Sequence, residues 1–552
     1  MRSAAPSSAR SPRKQSTRGH DRGGSPPDDE RSLIRDRLSR EIGTLGQGRP
    51  SEVALAYPSP YRAGMSSLGF QTLYRILHEL GIGAHRAFLP DAWEPMALPW
   101  PQPRRPILTY EAERPLSSYR VVGLSMAYEL EIAGVIRLLE GAGIPLLAAD
   151  RREHDPIVIA GGPLTFSNPS ILLPFIDVLL AGECEELLPA ALDAILQTRG
   201  RQAAITAAAA LEHACLGEVE PGLWSALPDP AKAPLERLPA RSVILTPDTE
   251  LADMFLVEPE RGCSRKCSFC VMRVSTNGGM RLLPMATPLG LVPDAARKVG
   301  LVGAAVTDHP ELEDLVAALV DSGRSVSISS LRADRLTPRF LHDMQRSGHR
   351  TITVASDGIS ERMRLILQRK IKEEHLLKAA QQIKDHGFHR MKIYEMMGAP
   401  GETDADADEL VRLALEIAKI QRLVLTFSTF VAKRNTPLDG QPFMGVKPAE
   451  ERLRRIREGL RGKVETRPQS PRWAHIEYFL AQGGPEAGHA AIQAVHAGAR
   501  YADWVRAFAE APPSRRELKF GDEAAWARRK GKAALPASGR PGLAHLPILG
   551  RA

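Results

Sequence analysis

Cys263, Cys267 and Cys270 fall within eight positions of a chain whose 552 residues hold only five cysteines. Soft thiolates in a Cys-x3-Cys-x2-Cys run suit an iron-sulfur cluster or zinc. The count distinguishes them. A closed structural zinc site takes four ligands, usually as spaced pairs, and no second cysteine pair or His-x3-His pattern stands nearby. Zinc would need a distant fourth ligand, and buried free thiols would need no metal. Three thiolates on a four-iron cluster leave one iron open to an outside ligand. Cys184 and Cys215 stand apart from the run and read as small buried apolar residues.

The elements around the run must present it. Met254–Val257 reads as a strand that delivers the cysteine loop at its carboxyl end, the edge where barrels carry their chemistry. Further strands are expected at Leu301–Val306, Ser325–Ser329, Thr351–Ala355, Met391–Met396 and Leu423–Phe430. Helical patterns lie between them at Glu311–Val320, Pro338–Ser347, Glu373–His386 and Ala405–Lys419. Upstream, a helical charge pattern at Arg31–Gly43 leads into strands at Val53–Tyr57, Arg120–Met126, Ile144–Ala148, Pro156–Ala160 and Phe175–Leu180. Helices are expected at Gly64–Gly81, Glu129–Gly143 and Glu185–Gln197. This alternation predicts an α/β fold with a doubly wound parallel sheet and ligands beyond its carboxyl edge.

The expected division is a basic tail over 1–30, an α/β domain over 31–200, a linker over 201–250, a barrel over 251–447 and a helical extension with a tail over 448–552. The net charge of +8 and pI near 9.2 favour an anionic partner only weakly. No stretch approaches 18 uninterrupted apolar residues, which argues against a membrane span. Clustered thiolates and the absence of a secretory signal predict a cytoplasmic location.

With Gly262 before the first cysteine and Phe269 before the last, the run resembles the signature of radical S-adenosylmethionine (SAM) enzymes, and the similarity continues over about two hundred residues. The resemblance implies an open six-unit (β/α) barrel with a [4Fe-4S] cluster on Cys263, Cys267 and Cys270. SAM would occupy the open iron and be cleaved reductively, with flavodoxin or ferredoxin as electron donor. It also implies SAM contacts. Phe269 flanks the cluster, and Asp308 follows Gly303-Ala-Ala where the family carries Gly-Gly-Glu; Asp308 could equally cap a helix. Ser356 and Asp357 stand where ribose hydroxyls bind, or form an ordinary turn. Gly398 and Glu402 lie in a Gly-Ala-Pro-Gly-Glu-Thr turn beside adenine, where Glu402 either touches SAM or orients the loop. Lys433 and Arg434 border the substrate.

The first domain resembles the cobalamin-binding domain of one branch of that family, through Tyr57-Pro-Ser-Pro-Tyr61, Ser125, Gly161, Gly162, Gly182 and Glu183. No Asp-x-His-x-x-Gly is present, and His78 and His85 lack its spacing. Any cobalamin would therefore bind without a histidine beneath cobalt. The expected function is SAM cleavage to a 5′-deoxyadenosyl radical, followed by cobalamin-dependent methyl transfer to carbon, or by cobalamin-independent oxidoreduction or rearrangement. A methylthiotransferase would need three further cysteines in the first domain. A cluster-bearing, non-catalytic protein that binds nucleic acid through its basic termini is the reading from another class.

Overall fold

The computed structural model describes residues 26–91, 106–218, 227–272, 279–329 and 331–510. Most of the basic N-terminal tail and the C-terminal tail lie outside the described residues. No helix among the described residues is long and apolar enough to cross a membrane.

The first sheet contains β1 (Val53–Pro60), β2 (His85–Leu89), β3 (Val121–Ser125), β4 (Ile157–Gly161), β5 (Val178–Leu180) and β6 (Ala214–Leu216), in the order β2-β1-β3-β4-β5-β6. All neighbours run parallel except the last pair. Alternating side chains enter two separate cores, as the period of a strand requires. Val53, Leu55, Ile157 and Ile159 pack with Phe70, Tyr74 and Leu77 of the helix Leu68–Glu79. Ala54, Ala56, Val158 and Ala160 pack on the other face with Val135, Ile136 and Leu139 of the helix Ile132–Ala142.

That second core is completed by the far end of the chain. Ile476, Leu480, Ala491, Val495, Trp504 and Phe508, from the helices Pro471–Gln482, Pro485–His496 and Tyr501–Glu510, are buried in it. These helices finish the core of the first domain, and the first of them also meets the barrel, where Tyr478 packs beside Met396 and Phe430. Gly488 lets one of them approach closely, since a Cβ there would stand 2.4 Å from the Ile171 carbonyl oxygen. Asn168 Nδ2 donates to the carbonyls of Leu480, Ala481 and Gly483 at 2.8, 3.2 and 2.7 Å.

The second unit begins with β7 (Met254–Val257), then a hairpin of β8 (Glu260–Gly262) and β9 (Met280–Leu282) flanking the cysteine loop. It continues with β10 (Lys298–Leu301), β11 (Ser325–Ile328), β12 (Thr351–Ala355), β13 (Arg390–Met397), β14 (Leu423–Thr429) and β15 (Glu465–Pro468). The parallel orders β7-β10-β11 and β12-β13-β14-β15 meet at a Leu331–Val354 bridge, forming an open barrel whose helices share one continuous core. β15 adds a strand beyond the six expected.

Two further expectations change. Ile144–Ala148 forms no strand and leads into a short 3-10 turn at Ala148–Asp150; its leucines cover the second core from a loop. The second barrel strand ends at Leu301, earlier than expected, because the following Gly303–Ala305 loop turns under the Glu260 carboxylate.

Candidate active site

The cysteine loop leaves β8 through Gly262, whose φ of +106° is a conformation that residues with a Cβ rarely adopt. Cys263 N–H then donates to the Gly279 carbonyl at 3.1 Å, closing the base of the loop. The far side is tied to the barrel by Ser268 N–H donating to Leu367 O at 3.0 Å. Cys267 is buried, while Cys263 and Cys270 are half-buried. Arg265 N–H donates to Cys263 Sγ at 3.4 Å within the loop. No three His, Cys, Asp or Glu side chains among the described residues converge as a single-ion site. A four-iron cluster instead asks each thiolate to bind a different iron, and this donor set and loop fit it.

Phe269 packs against the apolar floor made by Met363, Leu367, Met396, Phe430 and Leu438. Asp308 occupies another role. Its carboxylate accepts from Nε and Nη2 of Arg265, inside the cysteine loop, at 2.8 and 2.6 Å. Arg335 and Arg332 stand 3.4 and 3.9 Å away. Burial opposes its charge, but the Arg265 hydrogen bonds and the three cations outweigh that and hold the carboxyl below its ordinary range.

Ser356 is fully buried and spent on the turn; its hydroxyl donates to Gly358 O at 3.2 Å. Asp357 stays half-buried at φ +58°, with Arg369 Nε 2.9 Å from its carboxylate. At Gly398 a Cβ would stand 2.3 Å from Met444 Sδ, and its N–H donates to Glu402 at 2.8 Å. Arg452 holds the other Glu402 oxygen at 2.5 Å, so Glu402 orients this loop. Burial nevertheless pushes its carboxyl up to about 7. Lys433 donates to Glu129 at 2.7 Å and Glu477 at 2.6 Å, locking barrel, first domain and C-terminal helices together. Arg434 Nη2 donates to Gln482 O at 2.5 Å in the same junction.

Two residues emerge that the sequence reading did not select. Glu260 is fully buried; one carboxylate oxygen accepts from Ala305 N–H at 2.8 Å and the other has no hydrogen-bond partner. Burial raises its carboxyl to about 7. Arg332, just past the end of β11, is buried, and its Nε and Nη1 make no hydrogen bond. Its Nη2 donates to Asp334 at 2.7 Å and its Nε stands 3.9 Å from Asp308, so the cation is paired while two of its buried donors stay unused, which is costly unless an acceptor joins them. Its position beyond a barrel strand was the available sequence signal.

The proposed corrin residues do not form an open cleft. Tyr57 is buried, its hydroxyl engaged by Glu131 and Ser67. Ser125 and Gly161 line an apolar cavity of about 30 Å³ with Leu55, Phe70 and Cys184, room for little more than a water molecule. A Cβ at Gly162 would stand 2.6 Å from Met126 O, and one at Gly182 would stand 2.3 Å from Ala231 N. Glu183 accepts from Ala233 N–H at 2.7 Å. His85 spends both ring nitrogens on Tyr119 and Arg49, while His78 turns to Ala84 O. These residues do not fit a corrin, because the chain's own segments fill the space beside them.

Comparison with known proteins places the two units. Residues 69–215 match the family model described as radical SAM proteins, N-terminal, and residues 257–414 match that of the radical SAM superfamily. The uncharacterized protein MJ0966 of Methanocaldococcus jannaschii is 26% identical over 433 residues, covering 75% of this chain and 85% of that one. Among solved structures, the cobalamin-dependent radical enzyme OxsB with aqua-cobalamin and SAM is 13% identical over 74% of this chain and 56% of that chain, TM-score 0.44. Streptococcus suis SuiB bound to SAM is 14% identical over 39% of this chain and 46% of that chain, TM-score 0.28. The chain thus spans about half the length of these solved structures. By its matched domains, this chain belongs to the radical SAM superfamily.

Proposed function

We propose that this chain is a radical SAM enzyme that takes hydrogen from a carbon of a polar substrate, with oxidoreduction or rearrangement following. The observation that carries this reading is the cysteine loop after β8, whose Arg265 shares the Asp308 carboxylate with a buried Arg332 that keeps two unused donors. When bound, a [4Fe-4S] cluster would supply the electron that splits the sulfonium bond of SAM into methionine and a 5′-deoxyadenosyl radical.

The protein's part is binding and exclusion of water. Cys263, Cys267 and Cys270 hold the cluster. Arg332 offers its free N–H groups to the SAM carboxylate, Asp357 takes the ribose hydroxyls, and Phe269 with its apolar floor covers adenine. Of the barrel-strand residues that alternate with the hydrophobic core, Ser327, Thr353, Lys392, Tyr394, Thr426 and Ser428 are polar, while Leu256, Val424 and Met396 are apolar. Thr426 Oγ1 is buried without a partner. Those polar residues support a substrate rich in hydrogen-bonding groups. Cobalamin has no step in this proposal.

The test is anaerobic reconstitution, reduction, and chromatography for 5′-deoxyadenosine. Wild type should form it slowly without substrate, and Arg332→Met should need roughly 10- to 100-fold more SAM, the scale of one lost charged hydrogen-bond pair. Cluster-loaded protein that binds SAM but yields no 5′-deoxyadenosine would favour the non-catalytic, nucleic-acid-binding alternative.

A further inference from the structure

Arg261 and Arg281 face one another across the β8–β9 hairpin, one on each side of the cysteine loop. Like charges directly opposite destabilise a strand pair. Here the first domain offsets the repulsion. The turn after β5 presents Glu183 and Glu185: Arg261 Nη1 stands 2.6 Å from Glu185 and 3.4 Å from Glu183, while Arg261 Nε meets Glu258 at 2.8 Å. Arg281 pairs with Glu183 and donates to Ala233 O at 2.7 Å. These charges are mostly buried, with side-chain exposures of 13% for Arg261, 7% for Glu183 and 8% for Glu185. Screening by water and salt is therefore weak.

The same turn is roofed by the chain between the domains. Ala231 N–H donates to Ala181 O at 2.8 Å, and Glu183 N–H donates to Ala231 O at 3.1 Å, extending the sheet edge in the parallel sense. The backbone of Pro230 and Ala231 lies within contact distance of Gly182 where a Cβ would project. Carboxylate, backbone and guanidinium groups thus use one another across the strand edge where a doubly wound sheet ordinarily receives a ligand.

We propose that this edge is a clamp: Pro230–Ala233 seals it against a corrin, and Glu183 and Glu185 act through Arg261 and Arg281 as positioning residues for Cys263. The first half rests on packing alone. The second rests on the cluster assignment made above.

The full-length, anaerobically reconstituted chain tests both halves. After incubation with hydroxocobalamin and desalting, the absorption spectrum should show no retained corrin; retention near one per chain overturns the seal. Hydrogen–deuterium exchange over peptides spanning 258–264 and 279–284 then reads the clamp. Glu183→Gln with Glu185→Gln should speed exchange there about tenfold, on the scale of one lost charge-assisted contact, and should alter the electron paramagnetic resonance spectrum of the reduced cluster with SAM. Glu183→Asp should recover part of both signals. A folded double variant with unchanged exchange and an unchanged spectrum overturns the clamp. If the double variant does not fold, Arg281→Met is read in the same way, since it leaves Arg261 its carboxylates. Should the wild type take up no cluster, the functional reading fails, while the exchange and corrin results still decide the clamp.

Discussion

Arg265 lies between two of the proposed cluster cysteines and closes a two-armed ion pair on Asp308, whose side chain is only 6% exposed. A bidentate guanidinium–carboxylate pair fixes orientation as well as distance. The loop is therefore tethered to the second barrel strand's exit before any cofactor arrives. Asp308→Asn should leave the fold intact and lower the urea unfolding free energy by about 1–3 kcal/mol. Iron should also leave the reconstituted protein faster under chelator. An unchanged chelation rate would reduce the pair to a surface contact.

Cys184 and Cys215 should have no part in metal binding. Both thiols are buried, and burial pushes each up to about 12, so they stay protonated at neutral pH. Replacing both by Ala should keep iron and sulfide content at the wild-type level, at a stability cost of about 1 kcal/mol each. Replacing Cys263, Cys267 or Cys270 by Ala should abolish the cluster's absorption. Loss of iron in the Cys184→Ala, Cys215→Ala protein would reopen the ligand assignment.

Glu395 gives the stability a pH dependence. Burial pushes its carboxyl from 4.5 up to about 8, opposed chiefly by the Arg364 charge. The native state therefore holds a proton that the unfolded chain has released. This contribution is fully present below about pH 4.5 and is lost as pH rises through about 8. The slope is at most about 1.4 kcal/mol per pH unit. Glu131, Glu260 and Glu402, each raised to about 7 mainly by burial, act in the same direction, so the comparison must be with Glu395→Gln. Thermal melts between about pH 5 and 8 should show a smaller decline in the variant. Parallel curves would remove Glu395 from the account.

The C-terminal helices should be inseparable from the first domain. Gly488→Val would force a side chain against the Ile171 carbonyl, 2.4 Å from the new Cβ. Overpacking of this kind costs about 1–3 kcal/mol. The urea midpoint should fall, and limited proteolysis should open the first domain's peptides before those of the barrel. Barrel peptides opening first would contradict the shared core.

The cysteine run, both strand–helix alternations and most helix positions were legible in the sequence, because residue spacing and hydrophobic period are local properties. Met254–Val257, Thr351–Ala355 and the helix from Glu373 lie where those patterns predicted. The short pairings at β2, β6, β8, β9 and β15 were not legible, since three to five residues carry too little period and depend on a distant partner. The same limit governs the site. Gly161, Gly162, Gly182 and Glu183 have the chemistry of a ligand-binding strand edge, but only tertiary packing could show Met126 and Ala231 occupying the space beside the glycines. Asp308 carried a carboxylate at the right strand end; its partner Arg265 became apparent only in three dimensions. Arg332 was one basic residue among many until burial left two of its donors unanswered. Sequence by itself determined which chemical groups are available and the spacing of the cysteines. Tertiary structure decided which groups are already satisfied, because desolvation and hydrogen-bond partnership depend on neighbours that lie tens to hundreds of residues away in the chain.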